Sequence, residues 1–227
     1  MKIGIHQPNF IPWIGYFYKI SMTDLFVFLD DVQFSKNSFI NRNKIVINKK
    51  DHWLTLPVKT AGKLGQLILE TEIIEHSKSL NKILETIRIS YARAPFFEEY
   101  FPKFKKIVES SNGNMCDLNI EILKSIIKYL EIEVEVIKAS NLQNITGESA
   151  DRLVSICKEI KADTYISGFG GMNYQEEEQF TKENIKLVVY DFKHPVYFQN
   201  TDMFIKNMSI LDLIFNCGKN SIDYFNI

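Results

Sequence analysis

Lys2-Ile3-Gly4-Ile5 and Asp24-Leu25-Phe26-Val27-Phe28-Leu29 are the two short apolar stretches that decide the fold. The polar loop His6-Gln7-Pro8-Asn9 follows the first stretch, and Pro8 and Pro12 keep it extended because the residue before a proline avoids the helical region. A helix is predicted between the two stretches, over residues 13–22. Strand, helix and strand in this order indicate a βαβ unit. We therefore expect a parallel sheet with binding loops at the carboxyl ends of its strands.

The rest of the chain continues the alternation of strands and helices. Further strands are predicted over residues 45–47, 53–58, 67–74, 133–138, 164–167 and 186–190, and the first two of these form a hairpin. Helices are predicted around residues 80–94 and over residues 96–110, 114–130, 149–160 and 209–215. The pattern predicts a single α/β domain over residues 1–227. Its mainly parallel sheet is flanked by helices, with a helical insertion at about residues 77–131 and a β-hairpin excursion.

Composition narrows the class of protein. The 227 residues are 45% hydrophobic and 24% charged, as in an ordinary globular protein, and the net charge of −1 provides no overall field for nucleic acid or an anionic bilayer. Three separated cysteines without a C-x-x-C pair fit a reducing compartment, and Cys157 is predicted to lie in the core. No signal peptide and no membrane-spanning run is recognisable. A cytoplasmic protein without membrane insertion is expected.

The first candidate site is the loop after the first strand. Ligands of α/β sheets bind at strand carboxyl ends, so His6 is a candidate general base or a hydrogen-bond donor to phosphate. Gln7 and Asn9 would add amide contacts. The alternative is that His6 only caps its strand.

The second candidate site follows the second strand. Asp30 and Asp31 are candidate bases, and because side chains alternate in extended chain, only one of them is expected to face the site. Lys36, Asn41 and Arg42 resemble a local clamp for phosphate or carboxylate, with Arg42 as the best bidentate ligand. The alternative is a solvated, charged hairpin.

Further candidates lie near the carboxyl terminus and among the early aromatics. Backbone amides at Gly168, Gly170 and Gly171 could approach a phosphate, although the spacing is that of neither a Walker loop nor a dinucleotide fingerprint. Other substrate-binding candidates are Trp13, Tyr16, Tyr174, His194, Tyr197 and Gln199. His52 and His76 lack metal-ligand spacing with any cysteine or acid, so no metal site is predicted. No cofactor is assigned.

Several of these motifs, read together, resemble the WbqC-like protein family. The similarity is carried by residues 6–17 (HQPNFIPWIGYF), 29–34 (LDDVQF), 41–43 (NRN), 166–168 (ISG), 194–199 (HPVYFQ) and 209–218 (SILDLIFNCG). These matches follow the family's order through nearly the whole chain. Members of the family resemble one another across O-antigen, lipopolysaccharide and other surface-glycan gene clusters.

The resemblance implies an enzyme of bacterial surface-polysaccharide biosynthesis that acts on a sugar nucleotide. From the residues we expect a transferase that adds an acyl or aminoacyl group to the amine of a nucleotide-linked amino sugar, with His6 or one of the two aspartates as the base. Two alternatives remain at this stage. One is a nucleotidyl transferase or adenylate-forming enzyme, and the other is a non-catalytic protein that binds a glycan precursor.

Overall fold

A computed structural model of the protein describes residues 1–168 and 174–225. Contacts divide the chain into two compact units, each assembled from three separate stretches. We call them the sheet unit (Met1–Gln7, Tyr18–Asp31 and Ile132–Lys193) and the helical unit (Pro8–Phe17, Val32–Glu131 and His194–Ile227). The single domain expected from the sequence stays a prediction.

The secondary structure alternates largely as the sequence predicts. In chain order the elements are β1 (Lys2–His6), α1 (Ile14–Ser21), β2 (Leu25–Phe28), β3 (Arg42–Ile47), β4 (Lys50–Thr55), α2 (His76–Tyr91), α3 (Phe97–Glu109), α4 (Met115–Tyr129), β5 (Glu135–Lys138), α5 (Ser149–Ile160), β6 (Thr164–Gly168), α6 (Tyr174–Lys182), β7 (Lys186–Tyr190) and α7 (Ile210–Cys217). Short 3-10 helices occupy Ile68–Glu70, Ala139–Asn141 and Gly218–Phe225.

The sheet unit contains one parallel sheet with the strand order β5-β2-β1-β6-β7. Its register pairs His6 with Phe28 on one side of β1 and Gly4 with Ile166 on the other. The predicted βαβ start and α/β class are therefore confirmed. From β1 the chain first extends the sheet through β2 and β5, and then adds β6 and β7 on the opposite side. The strand order therefore reverses between β1 and β6, which is the topological switch point of the sheet.

Apolar side chains of the sheet unit pack into a core beneath α5 and α6. Val154 and Cys157 of α5 and Phe180 of α6 are buried with the β1 side chains. The Phe180 ring stacks on that of Tyr165 in β6, with centroids 5.1 Å apart. The predicted core position of Cys157 is thus confirmed, and burial raises the pKa of its thiol to about 12.

The helical unit contains the hairpin of β3 and β4 together with α2, α3 and α4. Asn48 and Lys49 form the hairpin turn, and both have positive φ (49° and 62°), which suits the tight two-residue turns that match strand twist. The second strand therefore begins earlier than the predicted residue 53. Asn114 caps α4, because its side chain accepts a hydrogen bond of 3.0 Å from the Asp117 amide.

The strand predicted over residues 67–74 is wrong. A 3-10 helix occupies Ile68–Glu70, and isolated bridges join Leu67 to Gln33, Glu72 to Asn114 and Ile73 to Val58. Each part of the segment thus pairs with a different neighbour, so no continuous ladder forms. Alternation of apolar residues describes the burial of this segment but not its pairing.

Candidate functional site

The carboxyl edge of the parallel sheet carries three of the predicted groups. His6 ends β1, Asp30 follows β2, and Gly168 ends β6. These strands are neighbours, and the Leu29 amide donates a hydrogen bond of 2.9 Å to the His6 carbonyl. The sheet unit therefore brings His6, Asp30 and Gly168 to the same edge, beside the topological switch point where α/β sheets bind ligands.

His6 is held as a neutral imidazole. Its Nδ1 lies 3.1 Å from the carbonyl oxygen of Gln7. Burial and the nearby charge of Lys19 lower the pKa of His6 to about 4, although the contact with Gln7 opposes the shift. The ring can therefore accept a proton at neutral pH, but in the free protein it is a weaker base than an ordinary histidine.

Lys19 is a feature of this unit that sequence reasoning missed. This α1 side chain is only 3% exposed, its Nζ donates a 2.7 Å hydrogen bond to the Ile5 carbonyl, and it lies 5.3 Å from the ring centroid of Tyr165. Burial lowers its pKa to about 7. A buried amine that titrates near neutrality is typical of functional sites. The only signal in the sequence was a lysine within an otherwise apolar helical turn.

Asp30 and Asp31 have different partners in the sheet unit. Asp30 is 1% exposed and accepts hydrogen bonds from the Ser140 amide (2.9 Å) and hydroxyl (2.6 Å). Asp31 forms an ion pair with Arg152 of α5, while its Oδ1 is buried without a hydrogen-bond partner in the described part of the chain. Asp31 therefore has the freer carboxylate oxygen, and Asp30 has the contacts of a group that fixes the chain after β5. Their catalytic roles stay predictions.

The glycine segment is described only at its first residue. A Cβ at Gly168 would lie 3.3 Å from the hydroxyl of Tyr190, so a larger residue would crowd that side chain. Gly170 and Gly171 lie outside the described residues, and Tyr174 is the first residue of α6.

Two buried asparagines of the helical unit fix the loop that contains Asn9. Asn43 donates a 3.0 Å hydrogen bond to the Ile11 carbonyl. Asn119 donates hydrogen bonds of 2.8 Å to the carbonyls of Pro8 and Ile40. Ile11 has a φ of 37°, which a β-branched side chain rarely adopts. The loop is therefore held in a strained conformation, as segments of functional sites often are.

Asn41 and Arg42, two residues of the predicted anion clamp, differ in whether their side chains already have hydrogen-bond partners. Asn41 is buried and donates to the Leu56 carbonyl at 3.1 Å, so its amide serves the backbone. The Arg42 guanidinium lies 4.3 Å from the Trp53 ring centroid, and its Nε has no hydrogen-bond partner within the described ranges. Arg42 therefore keeps hydrogen-bonding capacity for an anion.

Lys36 lines a cleft of about 410 Å³ in the same unit. Lys63 and the glycines Gly62 and Gly65, which have positive φ of 70° and 76°, line the same cleft. Two ammonium groups beside glycine backbone suit a phosphate or carboxylate.

Trp13 and His194 are brought together by the helical unit. Their rings stack with centroids 6.3 Å apart and planes inclined by 19°. The Asn207 amide donates to His194 Nε2 at 3.0 Å, and burial lowers the pKa of this histidine. Tyr16 is buried in the core, where desolvation raises its pKa well above the usual range. Trp13 is thus the more accessible of the two predicted stacking residues.

Tyr197 and Gln199 both bind Asp212, a residue that the sequence analysis did not select. The Tyr197 hydroxyl and the Gln199 amide each donate a 2.6 Å hydrogen bond to Asp212 Oδ2, and the Tyr91 hydroxyl donates at 3.0 Å to Oδ1. The signal in the sequence was an acid within the apolar run Ile210-Leu211-Asp212-Leu213-Ile214.

No helix in residues 1–168 or 174–225 is long and apolar enough to cross a membrane. Residues 7–224 match the model of the WbqC-like protein family. The chain is also 32% identical over 225 residues to the uncharacterised protein Rv1507c of Mycobacterium tuberculosis, and the alignment covers 98% of this chain and 96% of that protein. No solved structure matches it. Since the family match extends over nearly the whole length, the chain belongs to the WbqC-like protein family.

Proposed function

We propose that this protein is a cytoplasmic transferase of bacterial surface-polysaccharide biosynthesis, acting on a nucleotide-linked amino sugar. The observation that carries the proposal is the parallel sheet whose switch point lies between His6 at the end of β1 and Gly168 at the end of β6. Open sheets of this kind bind nucleotide-containing ligands at that position. The occurrence of family members in O-antigen gene clusters supports a sugar as the other part of the ligand.

The proposed chemistry is transfer of an acyl or aminoacyl group to the sugar amine. The amine nitrogen attacks the carbonyl carbon of the donor, a C–N bond forms, and the donor's leaving group departs with its bonding electrons. The proton released by the amine passes to His6, or to Asp31 if His6 is not the base. A neutral imidazole at pH 7 satisfies the first requirement of that role.

Binding in this proposal is divided between anion contacts and polar contacts. Arg42 and Lys36 of the helical unit hold the diphosphate. Gln7 and Asn9 contribute amide contacts, while Trp13 offers a ring for stacking on the base or the sugar.

The same strand order and strand-end histidine also favour a nucleotidyl transferase or adenylate-forming enzyme. The two functions are separated by their products. Incubation with a nucleoside triphosphate, a divalent cation, and either a carboxylic acid or an amino sugar phosphate would release pyrophosphate only if an adenylate or a new nucleotide linkage forms. Loss of the free amine of an amino sugar nucleotide in the presence of an activated acyl donor, without pyrophosphate, would support direct transfer.

Ligand binding is the first test, because a ligand that binds the native state raises the melting temperature by mass action. The screen compares UDP-, dTDP- and GDP-linked amino sugars with the corresponding nucleoside diphosphates and with free amino sugars. We expect the complete sugar nucleotides to give the largest shifts. Equal shifts from nucleoside diphosphates alone would contradict a sugar-specific site.

Replacing Arg42 by alanine is expected to weaken binding of the sugar nucleotide by roughly ten- to a hundredfold, since a hydrogen bond to a charged group contributes about 1.5–3 kcal/mol. Isothermal titration calorimetry measures the change. Lys50→Ala removes the same charge from the exposed turn end of the hairpin and should bind normally. Unchanged affinity in the Arg42 variant would remove this residue from the proposed clamp.

A further inference from the structure

A separate cavity of about 300 Å³ lies within the helical unit. The residues that line it include Val46 near the end of β3, Ser90 near the end of α2, Arg93 two residues after α2, Asn200, and Asp212 of α7. This volume falls at the lower end of the range for small-molecule sites, so the cavity suits a compact ligand rather than a complete nucleotide.

Asp212 provides a buried negative charge in this cavity. The residue is 1% exposed, and its carboxylate accepts three hydrogen bonds, from Tyr197, Gln199 and Tyr91. A carboxylate has about four acceptor positions, so one remains, and it is on Oδ1, which accepts only from Tyr91. Asp212 forms no ion pair with any cation in the described part of the chain.

A buried carboxylate without a cation is costly, even when neutral donors solvate it. Burial raises the pKa of Asp212, and the hydrogen bonds from Tyr197, Gln199 and Tyr91 oppose that shift. Well-packed hydrophobic side chains in place of Asp212 and its partners would stabilise the fold at least as much as this polar network does. The arrangement therefore suits a cationic group of a ligand, which would donate a hydrogen bond to the fourth acceptor position.

Positive charge lies among the same lining residues. Arg93 is exposed and has no ion-pair partner among the residues described, whereas Lys49 is neutralised by Asp202 at 2.6 Å. The cavity thus combines one uncompensated anion, Asp212, with one uncompensated cation, Arg93. A ligand with both a cation and an anion would satisfy the two groups together.

Gln199 connects the buried acid to the wall of the cavity. Its amide oxygen accepts a 2.8 Å hydrogen bond from the Ile205 amide, and its Nε2 donates to the Ile205 carbonyl at 3.1 Å as well as to Asp212. These contacts close the loop of residues 199–205, which carries the polar lining residues Asn200 and Thr201. The wall is therefore fixed before any ligand binds, which reduces the entropy lost on binding.

We propose that this cavity binds a free α-amino acid, with its ammonium group at Asp212 and its carboxylate at Arg93. The polar side chains of Asn48, Ser90, Asn200, Thr201 and Asn216 surround a small side chain. A free amino sugar would match Asp212 but leave Arg93 without a counter-charge. Binding of the amino acid does not require the proposed function, and only its use as the group transferred to a sugar amine rests on that proposal.

The test titrates the full-length protein by calorimetry with glycine, alanine, serine and the larger proteinogenic amino acids. Each binding amino acid is compared with its N-acetyl and carboxamide derivatives, which lack the ammonium and the carboxylate respectively. We expect the free amino acid to bind and each derivative to bind roughly ten- to a hundredfold more weakly, as for loss of a charged hydrogen bond. Equal binding of the N-acetyl derivative, or no binding by any amino acid, would overturn the proposal.

Arg93→Gln tests the site without disturbing the buried network, because Arg93 is exposed. It should weaken amino-acid binding tenfold or more at an unchanged melting temperature. Lys82→Gln removes the same charge from the exposed surface of α2, outside the cavity, and should bind as the original protein does. Asp212→Asn should abolish binding, and normal binding in both Arg93→Gln and Asp212→Asn would refute the assignment.

The sugar-nucleotide titration, run on the same variants, separates the two proposals. If amino acids bind and sugar nucleotides do not, the proposed function fails while the cavity assignment stands. If sugar nucleotides bind and amino acids do not, the cavity assignment fails while the proposed function stands.

Discussion

Replacement of His6 by alanine is expected to lower turnover of an amine-bearing sugar nucleotide by about 10²–10⁴, the usual contribution of a general base, and to leave its binding nearly unchanged. In the unliganded protein the imidazole of His6 is a weak base, since its pKa is about 4. A bound diphosphate nearby would raise this pKa, because an adjacent anion favours the imidazolium form. Turnover should therefore decline as the pH falls below the pKa of His6 in the complex.

Single-turnover kinetics and calorimetry, measured on the same preparation, distinguish the two effects. His52→Ala is the matched control, because His52 is an exposed histidine of β4. Full turnover in the His6 variant would mean that His6 only caps its strand. It would leave the Asp30 and Asp31 pair as the remaining source of a base, with Asp31 favoured by its unpartnered oxygen.

Replacing Lys19 by methionine is expected to stabilise the protein at neutral pH by several kcal/mol. The pKa of Lys19 falls from its usual value of 10.5 to about 7 on folding, because burial penalises the ammonium form. Between these values the unfolded chain binds more protons than the folded one, so the stability of the original protein rises with pH across this window. The advantage of the methionine variant should therefore be on the order of 3–5 kcal/mol at pH 7 or below, and should shrink towards pH 10.5.

Urea unfolding measures the free energy of unfolding of both proteins. The measurement is made at pH 6.5, below the window, and at pH 8 and 10, within it. Lys186→Met, on an exposed position of β7, should show no such dependence on pH. If the difference in unfolding free energy between the Lys19 variant and the original protein is the same at every pH, titration of Lys19 in the folded state is contradicted. Loss of turnover together with increased stability would show that the buried amine is kept for function.

The parallel sheet was predictable because its signal is local. The apolar stretches of β1, β2 and β6 are short, each is followed by polar or glycine residues, and helical segments separate them. The carboxyl ends of neighbouring parallel strands lie at the same edge of a sheet, independently of loop conformation. The common edge of His6, Asp30 and Gly168 therefore followed from the topology alone.

The partners of the site residues were not predictable, because they are distant in the sequence. Ser140 and Arg152 bind the two aspartates from more than a hundred positions away. The burial of Lys19 depends on β1 and β6 packing against α1, and a lysine in a helix is usually exposed. Tyr91, one of the three side chains that bind Asp212, likewise lies 121 positions away, and no sequence motif links the two residues.

The position of β1 has a consequence for synthesis of the protein on the ribosome. Lys2, Ile3 and Gly4 pair with residues of β6, so the central strand meets its second neighbour only after Thr164 has been translated. At typical elongation rates this delay is about ten seconds or longer. During that interval β1 and β2 can pair, but one edge of β1 stays open to other nascent chains. Ribosome-bound chains that end before Thr164 should therefore aggregate more readily than chains that include it, and they should depend more on chaperones.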